Sequence, residues 1–354
     1  MFIDDILELI AQRPDVSDLH LTVNMKPIIR VNGELQPLDG DWEKMTVQDL
    51  QDISRHLMND QQYQTFQDDM EIDFSHSLGG IGRFRVNAYH QRGSVALALR
   101  IIPPSVKTLE ELNMPPVLKN LSRMRSGLVL CTGPTGSGKS TTQAAIVAQI
   151  NRERTCHVMT LEDPIEYLHR NNKAIVHQRE IGGDSRSFSR GLRSALRQDP
   201  DVIQVGEMRD LETISIAMEA AETGHLVLAT LHTNDAPQAV DRIIDVYPPH
   251  QQNQIRFQLA AVLKAVLAHD LLPTKDRQGR VLAMEILLGN SAVKNLIREG
   301  KTYQLYSVMQ TSSEQHMQTR DVALGKLYEK GQIELQEALD RCSNPEFIKR
   351  YRRS

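Results

Sequence analysis

The run GPTGSGKS, Gly133 to Ser140, constrains this chain more than any other stretch. Its glycines, lysine and hydroxyl have the spacing that wraps backbone amides around a triphosphate. Before it, Leu128, Val129, Leu130 and Cys131 form a short apolar run suited to a buried parallel strand, and after it Ser140 to Ile150 reads as helix. The pattern is a Walker A loop joining strand to helix. In that setting the N–H groups and the positive helix end converge on phosphate oxygens, Lys139 reaches the β- and γ-phosphates, and Ser140 ligates magnesium. Gly133, Gly136 and Gly138 supply backbone conformations closed to residues with a Cβ. Pro134, Thr135, Ser137 and Thr141 complete the stretch expected to hold ATP.

The chain has 354 residues, which implies two domains plus an appendage. Its 41 basic and 45 acidic residues nearly balance, so no global charge draws it to nucleic acid or acidic lipid. Cys131, Cys156 and Cys342 are far apart and form no CxxC pair, which excludes a disulfide framework and a thiolate zinc site and suits a reducing cytoplasm. The start, MFIDDILELI, is acidic and amphipathic, unlike a secretory signal. The apolar stretch Leu259 to Leu272 is interrupted by Lys264, His269 and Asp270 and is too short to span a bilayer, so any membrane contact is expected through partners.

Residues 1–102 read as a small α+β domain. Phe2, Ile6, Leu9 and Ile10 mark one helical stripe, Leu19, Leu21 and Val23 alternate as a half-buried strand, and Asn32-Gly33 and Arg92-Gly93 signal hairpin turns. Pro103-Pro104 opens a linker over 103–108. From 109 to 289, apolar strands alternate with helices, the pattern of a doubly wound, mostly parallel α/β sheet that binds ligands at its strand carboxyl ends. Residues 290–354 read as helices ending in the basic run Lys349, Arg350, Arg352 and Arg353.

Four further constellations carry chemistry. DVIQVGE, Asp201 to Glu207, is an apolar strand ending in a carboxylate, as a Walker B element should be, but Gly206 stands where many phosphate-loop enzymes carry a magnesium-organising Asp. Glu207 is left to hold the metal through water or to orient the attacking water, unless it is an ordinary strand-end residue. TLEDPIEY, Thr160 to Tyr167, places Glu162, Asp163 and Glu166 around a proline turn, where three carboxylates need cationic company. One of them could accept a proton from the hydrolytic water, and spacing alone does not choose among them. TGHLVLATLHT, Thr223 to Thr233, puts His225 and His232 at the two ends of an apolar strand, each either structural or phosphate-sensing. Arg83, Arg85 and Asn87 alternate with Phe84, Val86 and Ala88, and Arg100 lies on the next strand; that face suits phosphate across a subunit boundary or a solvated, acid-paired surface. Arg186, Arg190, Arg193 and Arg197 recur at helical spacing and read as an exposed stripe.

In this order, these elements closely resemble the secretion ATPase superfamily, and within it the type IV pilus retraction ATPases. The resemblance includes SDLHL at 17–21, GIGRFRVN at 80–87, LRQDPDVIQVGEMRDLETI at 196–214 and AAETGHLVLATLHT at 220–233, and covers nearly the whole length. It implies a PAS-like N-terminal domain, a RecA-like motor domain and a homohexamer with nucleotide between domains and neighbouring subunits. It also implies roles: Glu166 the catalytic glutamate, Glu207 the Walker B glutamate, His225 and His232 the residues coupling nucleotide state to motion, and Arg83, Arg85 and Arg100 the phosphate-facing arginines. The implied activity is magnesium-dependent ATP hydrolysis that retracts a pilus through an inner-membrane platform protein, with the chain peripheral at the cytoplasmic face. The family's AIRNLIRE motif stands here as AVKNLIRE, with Val293 and Lys294, and SSEQHMQT at 312–319 looks like the paralogous accessory retraction ATPase, a further possible partner. The four-cysteine zinc motif of the extension ATPases is absent. The rivals are a filament assembly or type II secretion ATPase, a nucleotide-binding regulatory subunit without turnover, and a nucleic-acid translocase that the near-neutral charge disfavours.

Overall fold

The computed structural model describes residues 2–13, 15–31, 33–103 and 105–351, so Asn32, Pro104, Arg352 and Arg353 lie outside the described residues. The chain divides into two compact units. The first comprises Met1–Ser105 with the short segment Pro164–Leu168, and the second Val106–Asp163 with His169–Ser354.

In the first unit, α1 (Phe2–Ala11) precedes β1 (Val16–Leu21), β2 (Ile28–Val31), β3 (Glu34–Pro37), α2 (Val47–Leu57) and α3 (Asp60–Asp69). The strands β4 (Glu71–Leu78), β5 (Gly82–Gln91) and β6 (Ser94–Ile102) follow. Among the described residues they form one antiparallel six-stranded sheet in the order β3-β2-β1-β6-β5-β4. Arg92 and Gly93 both take positive φ, 49° and 76°, the backbone that a tight two-residue turn between β5 and β6 requires. Reciprocal caps start both middle helices, Thr46 with Asp49 on α2 and Asn59 with Gln62 on α3. The stripe that α1 buries is Ile3, Ile6, Leu7 and Ile10, packed with Leu19, Phe84 and Val86. Leu9, expected inside, is 42% exposed, because a 3.6-residue period turns it about 100° from Ile10. The strand expected to reach Val23 ends at Leu21.

The second unit opens with α4 (Val117–Ser122), β7 (Gly127–Thr132), α5 (Lys139–Glu153), β8 (His157–Glu162), β9 (Ile175–Glu180) and α6 (Phe188–Ala195). It continues through β10 (Val202–Val205), α7 (Leu211–Glu222), β11 (Leu226–Leu231), α8 (Ala236–Asp245), α9 (Pro249–Val262), β12 (Leu263–Pro273) and β13 (Arg280–Leu288). Its seven-stranded sheet has the order β13-β12-β7-β11-β10-β8-β9 and is parallel except for β13 among the described residues. The fold is therefore the expected doubly wound, mostly parallel α/β sheet. Strands β7, β10 and β11 are buried at every position, which is why they read as continuous apolar runs and not as alternating ones. One face packs against α4 and α5 through Val129, Ile146, Val202 and Leu228, and the other packs through Leu128, Ile203 and Val227 against Ile214, Val240 and Leu259.

Helices α10 (Ser291–Arg298), α11 (Leu305–Thr311), α12 (Arg320–Glu329), α13 (Leu335–Arg341) and α14 (Pro345–Ile348) complete the second unit. Asp321, 3% exposed on α12, accepts the N–H groups of Ser343 and Asn344 at 2.8 and 2.9 Å and ties α12 to the start of α14. Asp321→Ala leaves two amides without their acceptor and is expected to cost about 1–3 kcal/mol. Limited proteolysis should then cut between α13 and α14 first; resistance equal to that of wild type would contradict this role.

Candidate active site

The turn from β7 into α5 is built by backbone that side chains would obstruct. Gly133, Gly136 and Gly138 all have positive φ, at 141°, 78° and 95°. A Cβ on Gly133 would lie 2.6 Å from the His269 carbonyl oxygen and 2.6 Å from Ser137 Oγ, whereas Gly136 and Gly138 face open space. Gly138 is the N-cap of α5 and offers it no side-chain hydrogen bond. The first N–H groups of a helix have no carbonyl of their own helix to meet, so this end of α5 presents donors and the positive dipole end outward. Lys139, 8% exposed, folds back and donates to the carbonyls of Gly133 and Pro134 at 2.7 and 2.8 Å. Ser137 Oγ is buried and has no hydrogen-bond partner among the described residues. Pro134, Thr135 and Gly136 form the exposed tip, and Ser140 and Thr141 are half-buried on the first turn. Amides, a buried ammonium and hydroxyls around a glycine cradle fit a polyphosphate and its magnesium ion.

His269, on β12, supports this loop and was not a sequence candidate. Its Nδ1 lies 2.9 Å from the Leu267 carbonyl oxygen and 3.2 Å from that of Thr132, so Nδ1 carries the proton. Nε2 then accepts from Thr142 Oγ1 of α5 at 2.9 Å. One neutral imidazole thus joins the strand before the loop to the helix after it. Burial, opposed by the two carbonyls and aided by the charge of Lys139, pushes its pKa down to about 4. Thr132 closes the other side, donating to the Thr233 carbonyl at 2.6 Å and accepting the Thr233 N–H at 2.9 Å.

The same sheet edge gathers Glu207, His232 and Glu162, because β7, β11, β10 and β8 are parallel neighbours. Glu207 Oε1 lies 2.8 Å from His232 Nε2 and also pairs with Arg209. Burial raises the Glu207 pKa, but Arg209 and then His232 outweigh it and hold the carboxyl below its usual range. Gly206 has a steric reason to lack a carboxylate: a Cβ there would meet the Leu161 carbonyl oxygen at 2.9 Å, and its own N–H donates to that oxygen at 2.7 Å. The three acidic-box carboxylates separate by environment. Glu162 is 8% exposed and accepts from Thr160 Oγ1 at 2.6 Å and Gln178 Nε2 at 3.1 Å, while Asp163 and Glu166 are exposed. Cationic company for Asp163 comes from the chain itself, since its charge helps raise the Arg209 pKa.

The remaining candidates lie at the other end of β11, in the first unit or around α6. His225 precedes β11, and the strand separates it from His232 by roughly 20 Å. There its Nδ1 lies 2.9 Å from the Ala220 carbonyl, at the end of α7, so the structure does not bring the two histidines to one edge. Glu166 belongs to the segment Pro164–Leu168 that groups with the first unit. In that unit Arg83 and Arg85 alternate with buried Phe84 and Val86, and Arg85 pairs across the sheet with Arg100. Like charges face each other there, relieved by Asp73, 3.8 Å from Arg85, and Asp18, 3.0 Å from Arg100. Arg83 donates to Ser77 Oγ at 3.1 Å. The Arg100 side chain is 67% exposed, while its partner Asp18 is only 13% exposed. The second arginine stripe outruns its helix, since Arg186 precedes the Ser187 cap of α6 and Arg197 follows its last turn; Arg193 pairs with Glu212 at 2.7 Å.

Folded His269 stays neutral down to about pH 4, whereas an unfolded histidine titrates near 6.5. The unfolded chain therefore binds the extra proton in that window, and stability is lost as pH drops through it, by up to about 3 kcal/mol. His269→Gln should flatten this slope in denaturant titrations between about pH 7 and 4.5, and an unchanged slope would contradict the burial argument. His269→Ala is expected to raise KM for ATP about tenfold by loosening the loop, which steady-state assay would show.

A profile of the family described as type II/IV secretion system protein matches residues 68–340. The chain is 45% identical over 344 residues to the type IV pilus retraction ATPase PilT of Pseudomonas aeruginosa, covering 97% of this chain and 99% of that one. It is 42% identical to the type IV pilus ATPase PilU of the same organism, covering 96% and 88%. Among solved structures, that of the pilus retraction motor PilT with bound ADP superposes with a TM-score of 0.90 at 44% identity, covering 98% of this chain and 99% of that one. The chain belongs to the type II/IV secretion system protein family, in the branch of ATPases that contains PilT and PilU.

Proposed function

We propose that this protein is the ATP-hydrolysing subunit of a homohexameric motor that works at the cytoplasmic face of the inner membrane and retracts a type IV pilus. The observation that carries the proposal is end-to-end likeness to a retraction ATPase, joined to a loop shaped for a triphosphate. Lys139 and the loop amides from Gly133 to Thr141 would bind the phosphates, and Ser140, with Glu207 through water, would hold magnesium. Magnesium, when bound there, would neutralise charge on the triphosphate. Glu166 takes the proton of the attacking water, while Arg83, Arg85 and Arg100 stabilise charge that develops on the transferred phosphoryl group. Glu207 already touches His232, so a change at the γ-phosphate has a short path to the end of β11. His225, at the far end of that strand, is the proposed second coupling residue.

Among the described residues no helix is long and apolar enough to cross a membrane. The proposed partner at the membrane is a platform protein. Nucleic acid is not a proposed partner. A second role, as the accessory ATPase acting beside a paralogue, is favoured by the 42% identity to PilU over 96% of the chain.

Lys139→Ala should abolish turnover in a phosphate-release assay. Glu166→Ala should retain ATP binding while kcat falls about 10²- to 10⁴-fold. Wild-type turnover in either variant would defeat the assigned role. Deleting the gene should leave cells with surplus pili that do not shorten; bald cells would point to assembly instead.

A further inference from the structure

Glu166 sits in a loop whose two stems are held by one side chain. Strand β8 ends at Glu162, residues 163–168 form the loop, and the chain returns at His169. Gln178 lies on β9, in register with Thr160 of β8. Its Nε2 donates to Glu162 Oε1 at 3.1 Å, and its Oε1 accepts the His169 N–H at 2.8 Å. Chemistry fixes the orientation of this amide: reversed, it would set oxygen against a carboxylate and N–H against N–H. Glutamate there would lose the donor and add a charge beside Glu162. Asparagine would be one methylene too short to span both stems.

Each stem is anchored in its own right. The Glu162 carbonyl accepts the Ile181 N–H at 2.8 Å, and that of Leu161 accepts the Gly206 N–H at 2.7 Å. On the return side, Asn151 of α5 donates to the Arg170 carbonyl at 2.7 Å and accepts the Asn172 N–H at 3.0 Å. The outgoing stem is thus fixed to the ends of its two neighbouring strands, β9 and β10, and the return stem to the helix that starts at Lys139. Gln178 joins the two.

We propose that Gln178 is a positioning residue that sets the geometry of the Glu166 loop by clamping Glu162 to His169. The proposal rests on Glu166 as the base, and it makes Gln178 act through Glu166 without touching nucleotide. Gln178→Met keeps the volume and removes both hydrogen bonds. In the purified full-length chain it should lower kcat about ten- to a hundredfold and leave KM for ATP within about twofold, because the loop is displaced while the phosphate cradle is intact. Gln178→Glu, which keeps the acceptor and loses the donor, should also lower kcat and serves as the second variant should Gln178→Met fold poorly. Added to Glu166→Ala, Gln178→Met should cause no further loss, the mark of two residues acting as one unit. Wild-type kcat in both Gln178 variants, with Glu166→Ala inactive, would overturn the clamp alone, as would fully additive losses. Wild-type kcat in Glu166→Ala would instead remove the base on which the clamp depends.

Discussion

The close approach of β12 to the turn after β7 is the constraint on which the site depends. The His269 carbonyl comes so near Gly133 that a Cβ would sit 2.6 Å from it. Only glycine can pass there, and the chain must then swing through two more positive-φ glycines before α5 begins. A lysine at the first position of α5 turns back into the arch so formed and holds its two carbonyls. The result is an exposed rim of amides over a buried ammonium, with the imidazole of His269 wedged beneath.

The parallel sheet converts that local turn into a site. Neighbouring strands deliver their carboxyl ends to one edge, so residues far apart in sequence meet: Thr132 with Thr233, and Glu207 with His232. These contacts are short and polar, and they join strand ends, not strand centres. Rearrangement of the edge therefore need not break the apolar core that spans β7, β10 and β11, whose buried leucines, isoleucines and valines each contribute about 1.5–3 kcal/mol. The apolar sheet and the polar contacts at its rim are thus separate sets of interactions.

Much of this was legible in the sequence where the cause is local. The phosphate loop declares itself because its glycines and lysine act within eight residues, and the β5–β6 turn and the alternation of Arg83 and Arg85 follow from strand period. What escaped depends on long-range pairing. His269 looks like an interruption in an apolar stretch until β12 is placed beside β7, for its partners Thr132 and Thr142 precede it by 137 and 127 residues. Gly206 resembles a defect in a Walker B strand until β10 is set against β8 and the Leu161 carbonyl fills the space. Gln178 carries no motif at all; its role follows from lying in register with Thr160 at the mouth of a loop. The error at Leu9 was one of phase, since a stripe on so short a helix can be drawn in two ways from the sequence.

The central claim is that a glycine-only crossing between β7 and β12 creates the triphosphate cradle. Calorimetric titration of ATP in magnesium buffer, on the wild-type chain and on a folded Gly133→Val variant, tests it most directly. The account predicts saturable binding of one nucleotide per chain in the wild type and no measurable binding in the variant. Equal affinity in the two proteins would contradict it.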